Sequence, residues 1–273
     1  MNLTQKLSGT CIRGFNRIQA RCKGVYSNFD EQIIIEKFLK GLKVKDRNCV
    51  DIAAGDGVTM SNTFSLFRAG WGGLAVEFDA KKFSRLAKDY RTMQEVNLAK
   101  CKVIPENVAS LLKANQLPTN FAFLNLDIDG YDYFVLEQIL SDFRPSLICV
   151  EVNEKIPPPV KFSVKWNPNY CWRGDHFYGQ SISQLYGLCL AKRYSLVELH
   201  YNNAFLIPSE LNPFPSLTPE AAYQQGYLQK SDRKQRFPWN ANMEEVLTLP
   251  PEQAAVFINR CFEKYQGEFI CEL

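Results

Sequence analysis

The nine cysteines of this chain, at positions 11, 22, 49, 101, 149, 171, 189, 261 and 271, include no CxxC pair. Ribbon and finger metal clusters therefore have no ligand set, and an odd count at irregular spacing offers no disulfide framework. A reducing, cytoplasmic compartment is the expectation. Long apolar runs are lacking too. The hydrophobic stretches, such as SLICVEV at 146–152, are short and broken by charge, well under the ~18 residues that span a bilayer. Neither sign of charge is in excess, with 32 basic against 29 acidic residues and a formal net charge of +3, so nucleic acid is not an expected partner. Histidine is scarce, at two residues, His176 and His200, and no internal repeat is present.

What remains is an ordinary globular composition, 46% apolar and 22% charged over 273 residues, which excludes a disordered or fibrous chain. A domain of this length buries roughly three quarters of its unfolded surface and needs no disulfide or structural metal to fold. Cys49 and Cys149 lie in strand-like runs and read as buried small hydrophobes. Residues 1–24 carry Lys6, Arg13, Arg17, Arg21 and Lys23 and no acid, while Leu3, Leu7, Cys11, Phe15, Ile18 and Cys22 recur at helical spacing. An N-terminal amphipathic helix is expected there. Two readings stand open for it: packing on its own domain or on a sister subunit of a homo-oligomer, and peripheral contact with an anionic membrane surface.

From Asp30 the chain alternates helix-like and strand-like segments. Helices are expected at 30–41, 59–69, 80–91, 107–114, 131–141 and 181–192, and strands at 48–54, 73–78, near 101–105, at 121–127 and at 146–152. Strands separated by crossover helices imply an α/β fold with a parallel sheet covered on both faces. YSLVELH and AFLIP, joined by an Asn-Asn step, read as a hairpin that adds one antiparallel strand. Between Glu151 and that hairpin runs an irregular segment of nearly 30 residues with three prolines in a row, Trp166 and Trp172, a length that is usually functional. A helix is expected near 251–265.

The most informative segment is VDIAAGDGV. A hydrophobic strand runs into Asp51, followed by Ala53, Gly55 and Gly57 and then a helix, the arrangement with which an open α/β sheet holds a nucleotide at the carboxyl end of its first strand. Glu77 follows Gly57 by 20 residues at the end of the second strand, where a carboxylate can accept both ribose hydroxyl protons. A dinucleotide would need a phosphate cradle, but Met60 stands where a third glycine is usual and Asp56 puts a negative charge inside the loop. A phosphate-free, cationic adenosine donor, S-adenosylmethionine, suits that loop better. Asn107, in PENVASLL, reads either as a border to the adenine or as a helix cap.

At this point the sequence resembles the class I S-adenosylmethionine-dependent methyltransferases, and among them the FkbM-type family. The resemblance rests on YSNFDEQII at 26–34, VDIAAGDG at 50–57, SNT at 61–63, GWGGLAVEFD at 70–79, LDIDGYDYF at 126–134, VEVN at 150–153, FYGQSISQL at 177–185 and NAFLIP at 203–208. It covers about 26–208. Ala53, where glycine is commoner, departs from the pattern, as do residues 28–32. The resemblance implies a Rossmann-like, seven-stranded, mostly parallel sheet with one antiparallel strand. It also implies methyl transfer to a hydroxyl of a small molecule, sugar or glycan, lipid or polyketide-like acceptor. Asn62, Phe78, Val108 and Asp127 would join Asp51, Ala53, Gly55, Asp56, Gly57, Glu77 and Asn107 around the cofactor.

At the reaction end, LDIDGYD puts Asp127 at the tip of the fourth strand and Asp129 and Asp132 in the following turn. The fifth strand ends in Glu151 and Asn153. Adjacent strands lie about 4.8 Å apart, so Asp127, Glu151 and Asn153 form a candidate site for a divalent cation, Mg²⁺ or Ca²⁺. An alcohol must lose its proton to accept a methyl group, which takes a base or a metal. The candidate catalytic residues are Asp127, Asp129 and His176, with Asp129 also readable as a helix cap. The aromatic residues Trp166, Tyr170, Trp172, Phe177 and Tyr178 either wall an acceptor or bury the loop that carries them. The expected division is a helix at 1–24, a methyltransferase domain at 25–210 and a helical extension at 211–273 packed on it. Two alternatives remain: a catalytically silent module of the same fold, and an NAD-dependent oxidoreductase.

Overall fold

Alternation along the strands dictates how the protein layers. In the computed structural model, which describes residues 24–273, strand β1 (Asn48–Ile52) sends Val50 and Ile52 to one side and Cys49 to the other, and every one of these is fully buried. A strand apolar on both faces belongs in the middle of a covered sheet. The helix expected for residues 1–24 falls almost wholly outside the described residues.

The sheet has seven strands. After α1 (Glu31–Gly41) come β1, α2 (Phe64–Arg68), β2 (Gly72–Val76), α3 (Ala80–Tyr90), β3 (Val96–Ala99), α4 (Pro105–Ala114), β4 (Phe123–Leu126), α5 (Asp132–Asp142) and β5 (Leu147–Glu151). Further on lie β6 (Lys161–Val164), α6 (Ile182–Lys192), β7 (Tyr194–His200) and β8 (Asn203–Pro208). The spatial order is β3-β2-β1-β4-β5-β8-β7. All pairings from β3 to β5 are parallel, and β8 runs antiparallel to both of its neighbours. The lone reversed strand therefore lies inside the sheet, with β7 at the edge. Helices α4, α5 and α6 pack on one face with Leu124, Leu126, Ile148 and Val150. Helices α1, α2 and α3 cover the other with Phe123, Leu147, Cys149 and Phe205.

Two strands differ from expectation. The third runs at 96–99 instead of near 101–105, because it is an edge strand of which only Val96 is buried, so its hydrophobic signature is faint. Strand β6 sits inside the segment read as irregular and pairs antiparallel with β9 (Phe269–Glu272), more than 100 residues away. No local pattern announces such a partner. Around this ribbon a third apolar cluster forms, with Phe162, Phe177, Phe262 and Tyr265 packed against α7 (Pro251–Cys261).

The order of strands reverses between β1 and β4, which makes their carboxyl ends the crevice where open α/β sheets bind ligands. The loops after β1, β2, β4 and β5 and the β7–β8 turn all open at that edge.

Candidate active site

The loop after β1 is bent by three residues in the left-handed region, Ala53 (φ 67°), Gly55 (φ 61°) and Gly57 (φ 78°). The two glycines serve different needs. A Cβ on Gly57 would lie 2.4 Å from Leu86 Cδ1, so this position lets α3 pack on the loop, whereas a Cβ on Gly55 would meet nothing within 4 Å. Open space beside Gly55 is what a ligand approaching the backbone requires.

Glu77, buried at the end of β2, accepts the Gly55 N–H on Oε2 (2.8 Å) and the Asp79 N–H on Oε1 (2.6 Å). Each carboxylate oxygen keeps a further lone pair for a hydroxyl. Asp56 turns back on its own loop: Oδ1 accepts the N–H groups of Val58 (3.0 Å) and Thr59 (2.8 Å), and Oδ2 accepts the Thr59 hydroxyl (3.0 Å). The backbone donors that a phosphate would need are thereby occupied by a carboxylate, and α2 begins only at Phe64.

Beneath the loop, Asp51 is buried and accepts from Thr63 Oγ1 (2.6 Å) and Asn125 Nδ2 (2.8 Å). Burial raises its pKa against these two bonds. Asn62 Nδ2 donates to Asn125 Oδ1 (2.9 Å), tying the loop to β4. Phe78 stands 63% exposed beside Glu77. Asn107 is engaged at both ends, accepting the Ile104 N–H (2.9 Å) and donating to the Lys102 carbonyl (2.9 Å), which locks the turn into α4. Val108 is fully buried in the core beside it.

On the other side of the crevice, Asp127, Asp129 and Glu151 bring one carboxylate oxygen each to within 4.8 Å of one another. Desolvation, then the charges of Asp129 and Asp132, push Asp127 up to about 8. Burial, then the charges of Asp127, Asp129 and Asp132, raise Glu151. Asn202 Nδ2 donates to Glu151 Oε1 (2.9 Å), and Glu151 Oε2 is buried with no partner among the described residues. Asn153 does not join this group through its nitrogen, which donates to the carbonyls of His176 and Tyr178 (both 2.9 Å); its buried Oδ1 has no partner among the described residues. The capping reading of Asp129 is corrected. Asp129 adopts φ 54°, and it is Asp132 that accepts the N–H groups of Ile128 (2.8 Å) and Gly130 (2.9 Å) before α5.

His176 lies half-buried on the wall formed by residues 176–180. Its Nε2 meets Asn242 Oδ1 at 2.9 Å, and because an amide oxygen only accepts, Nε2 carries the proton and Nδ1 is left as the basic nitrogen. Burial, then the charge of Lys155, lower its pKa. The aromatic residues divide between the two readings: Phe177 and Tyr178 are buried, Trp166 packs edge-on at 4.3 Å from Tyr131, and Trp172 is exposed.

Residues that sequence reasoning missed hold this wall from behind. Glu154 and Lys155 are fully buried, and Lys155 Nζ donates to Tyr178 Oη (2.7 Å) and Glu154 Oε1 (3.1 Å). Tyr178 Oη donates in turn to Glu154 Oε2 (2.8 Å), and Asn240 Nδ2 to Glu154 Oε1 (2.6 Å). Burial works against the Glu154 charge, but Lys155, Asn240 and Tyr178 hold its pKa below the usual carboxylate value. Asn240 and Asn242 lie far along the chain, and nothing near them in sequence marks the role.

No protein-family model matches the chain, and no curated protein matches it. Among solved structures it is similar to an S-adenosylmethionine-dependent methyltransferase from Clostridium acetobutylicum, at 10% identity over 72% of this chain and 98% of that one, with a TM-score of 0.45. It is also similar to the N-terminal domain of EvdMO1 in the presence of SAH and D-fucose (11% identity, 66% and 83% of the two chains, TM-score 0.43). A third is an O-methyltransferase family protein from Burkholderia thailandensis (10% identity, 65% and 55%, TM-score 0.41). The class defined by the sheet is Rossmann-like mixed α/β, seven-stranded with one reversed strand. Among the described residues no helix is long and apolar enough to cross a membrane.

Proposed function

We propose that the protein is an S-adenosylmethionine-dependent methyltransferase that methylates a hydroxyl group of a small-molecule, sugar or lipid-like acceptor, in keeping with the FkbM-type resemblance of its motifs. The observation that carries the reading is Asp56. Its carboxylate occupies the Val58 and Thr59 N–H groups, a poor neighbour for a pyrophosphate and a good one for a cationic donor. Glu77 and the open space at Gly55 supply a ribose partner and an approach. When bound, the cofactor supplies the electrophilic methyl group.

The remaining chemistry belongs to side chains of this chain. Asp127 and Glu151, on neighbouring strands, would hold the acceptor hydroxyl and take its proton. A raised carboxylate pKa brings such a base close to the working pH, where general base catalysis is most effective. His176, whose carbonyl accepts from Asn153 Nδ2, is a second candidate to accept that proton, through Nδ1. Holding the acceptor in line with the methyl group is worth as much as the proton transfer itself, and the rigid strand tips do that.

The grouping of Asp127, Asp129 and Glu151, with the orphaned Glu151 Oε2, also fits a hard divalent cation, Mg²⁺ or Ca²⁺. A bound cation would lower the pKa of a hydroxyl beside it. Full activity after exhaustive EDTA treatment would refute that role. The cofactor reading is tested by calorimetry with S-adenosylhomocysteine and with NAD: binding of the first alone is expected, and binding of NAD alone overturns it.

A further inference from the structure

A groove of about 790 Å³ lies on the stretches of chain that lead into β2 and β3. Its walls include Phe64, Phe67 and Trp71, from α2 and the turn after it, and Asp89, Met93 and Glu95, from the end of α3 and the turn before β3. Trp71 and Glu95 each stand immediately before a strand, so the groove sits at the amino ends of the sheet. Open α/β sheets take their ligands at the carboxyl ends, which leaves this groove outside the chemistry proposed above.

The chain itself is led to this place. Tyr26 packs edge-on against Phe64 with ring centres 4.7 Å apart, and its carbonyl accepts the Ser61 N–H (2.9 Å). Arg68 Nη1 donates to the Tyr26 hydroxyl, and the guanidinium lies over the Tyr26 and Phe64 rings at 5.8 and 5.9 Å. Gln32 holds the stretch before it, accepting the Tyr26 N–H (3.2 Å) and donating to the Gly24 carbonyl (3.2 Å). Gly24 is at most about 7 Å of chain from Tyr26, so whatever precedes it starts beside α2. Its φ of 69° is the left-handed turn with which helices commonly end.

The 23 residues that run into Gly24 match the groove in both hydrophobicity and charge. Leu3, Leu7, Cys11, Phe15, Ile18 and Cys22 make one apolar stripe at helical spacing, which suits the apolar wall of Phe64, Phe67, Trp71 and Met93. Five cations and no acid stand in the same segment. The charged lining of the groove is two carboxylates, Asp89 and Glu95, and one guanidinium, that of Arg68, which is engaged with Tyr26. We infer that residues 1–23 dock along this groove of their own subunit, so that the basic segment is a strap on the amino ends of the sheet and not a membrane contact. This is independent of the methyltransferase reading.

The test uses the full-length protein as an equal mixture of light- and heavy-nitrogen chains, coupled with a zero-length carbodiimide and mapped by mass spectrometry. Links from the Lys6 or Lys23 amine to the Asp89 or Glu95 carboxylate are expected, with both peptides carrying the same isotope. Links of mixed isotope would put the segment on a sister subunit, and the lack of any such link would take it off the groove; either result overturns the inference. Hydrogen exchange supplies a second measurement, on wild type and on the full-length triple variant Leu7→Asp, Phe15→Asp and Ile18→Asp. Amides of 64–71 and 89–96 should exchange at least about tenfold faster in the variant, while β4 and β5 keep their protection and so report an intact fold. Equal exchange in the two proteins overturns the docking. Wild-type protection of the groove should also be the same with and without phosphatidylserine vesicles; faster exchange on adding them would assign the segment to the membrane instead.

Discussion

Asp127 shows how one side chain depends on its surroundings. Desolvation and the charges of Asp129 and Asp132 raise its pKa, which moves it toward the range in which a carboxylate can take up a proton. Asp127→Asn preserves shape and removes the basic oxygen, so turnover should fall by ~10²–10⁴, the usual contribution of a general base, while S-adenosylhomocysteine affinity is unchanged. Formation of S-adenosylhomocysteine with a methylatable acceptor checks it, and wild-type turnover by the variant removes Asp127 from the mechanism. His200 makes a different prediction. Burial, then Lys230 with its Nζ 3.4 Å from Nδ1, depress its pKa to about 4, against about 6.5 in an unfolded chain. Between those values the unfolded state binds the extra proton, so this contribution to stability is complete above pH 6.5 and is lost as the pH falls toward 4. In urea titrations the stability advantage of wild type over His200→Gln should shrink across that window. Much of the candidate site is legible from such residues: Gly55, Gly57 and Glu77 announce themselves by spacing, Asp127 by following β4 and Glu151 by ending β5. Asp56 was legible as an acid in the loop, but its bonds to Val58 and Thr59 depend on a backbone path that sequence does not display.

At the scale of elements, strands apolar on both faces were readable because burial on two sides leaves a continuous hydrophobic run. Strand β3 was misplaced because its edge position demands little of its side chains, and β6 was missed because its partner, β9, is remote. That pairing has a measurable weight. Deleting residues 269–273 leaves Phe162 and Phe262 without the Phe269 ring that covers them at 5.7 and 6.1 Å. The truncated protein should melt roughly 5–10 °C lower, at about 2–4 °C per kcal/mol for a chain of this size. Binding of S-adenosylhomocysteine should persist, since the loop after β1 makes no part of that ribbon. Unchanged melting would mean that β9 contributes nothing to the fold.

For the whole molecule, the question is whether residues 211–273 behave as a separate body. Their contacts argue against it: Tyr223 Oη donates to the Glu154 carbonyl (2.5 Å), Asn240 holds Glu154, Asn242 holds His176, and β9 extends β6. All of these grip the segment between β5 and α6, which is also a wall of the crevice. Differential scanning calorimetry should accordingly record one cooperative transition. Two well-separated transitions would show that the sheet and the extension unfold independently.

The ion pair of Glu154 and Lys155 carries a consequence for descent. Stripping one partner from a buried pair strands the other, at a cost of ~3–5 kcal/mol, so neither position can drift alone. Glu154, Lys155, Tyr178 and Asn240 should be inherited as a set, and relatives that have shed the extension should carry an apolar pair where this chain keeps its two charges.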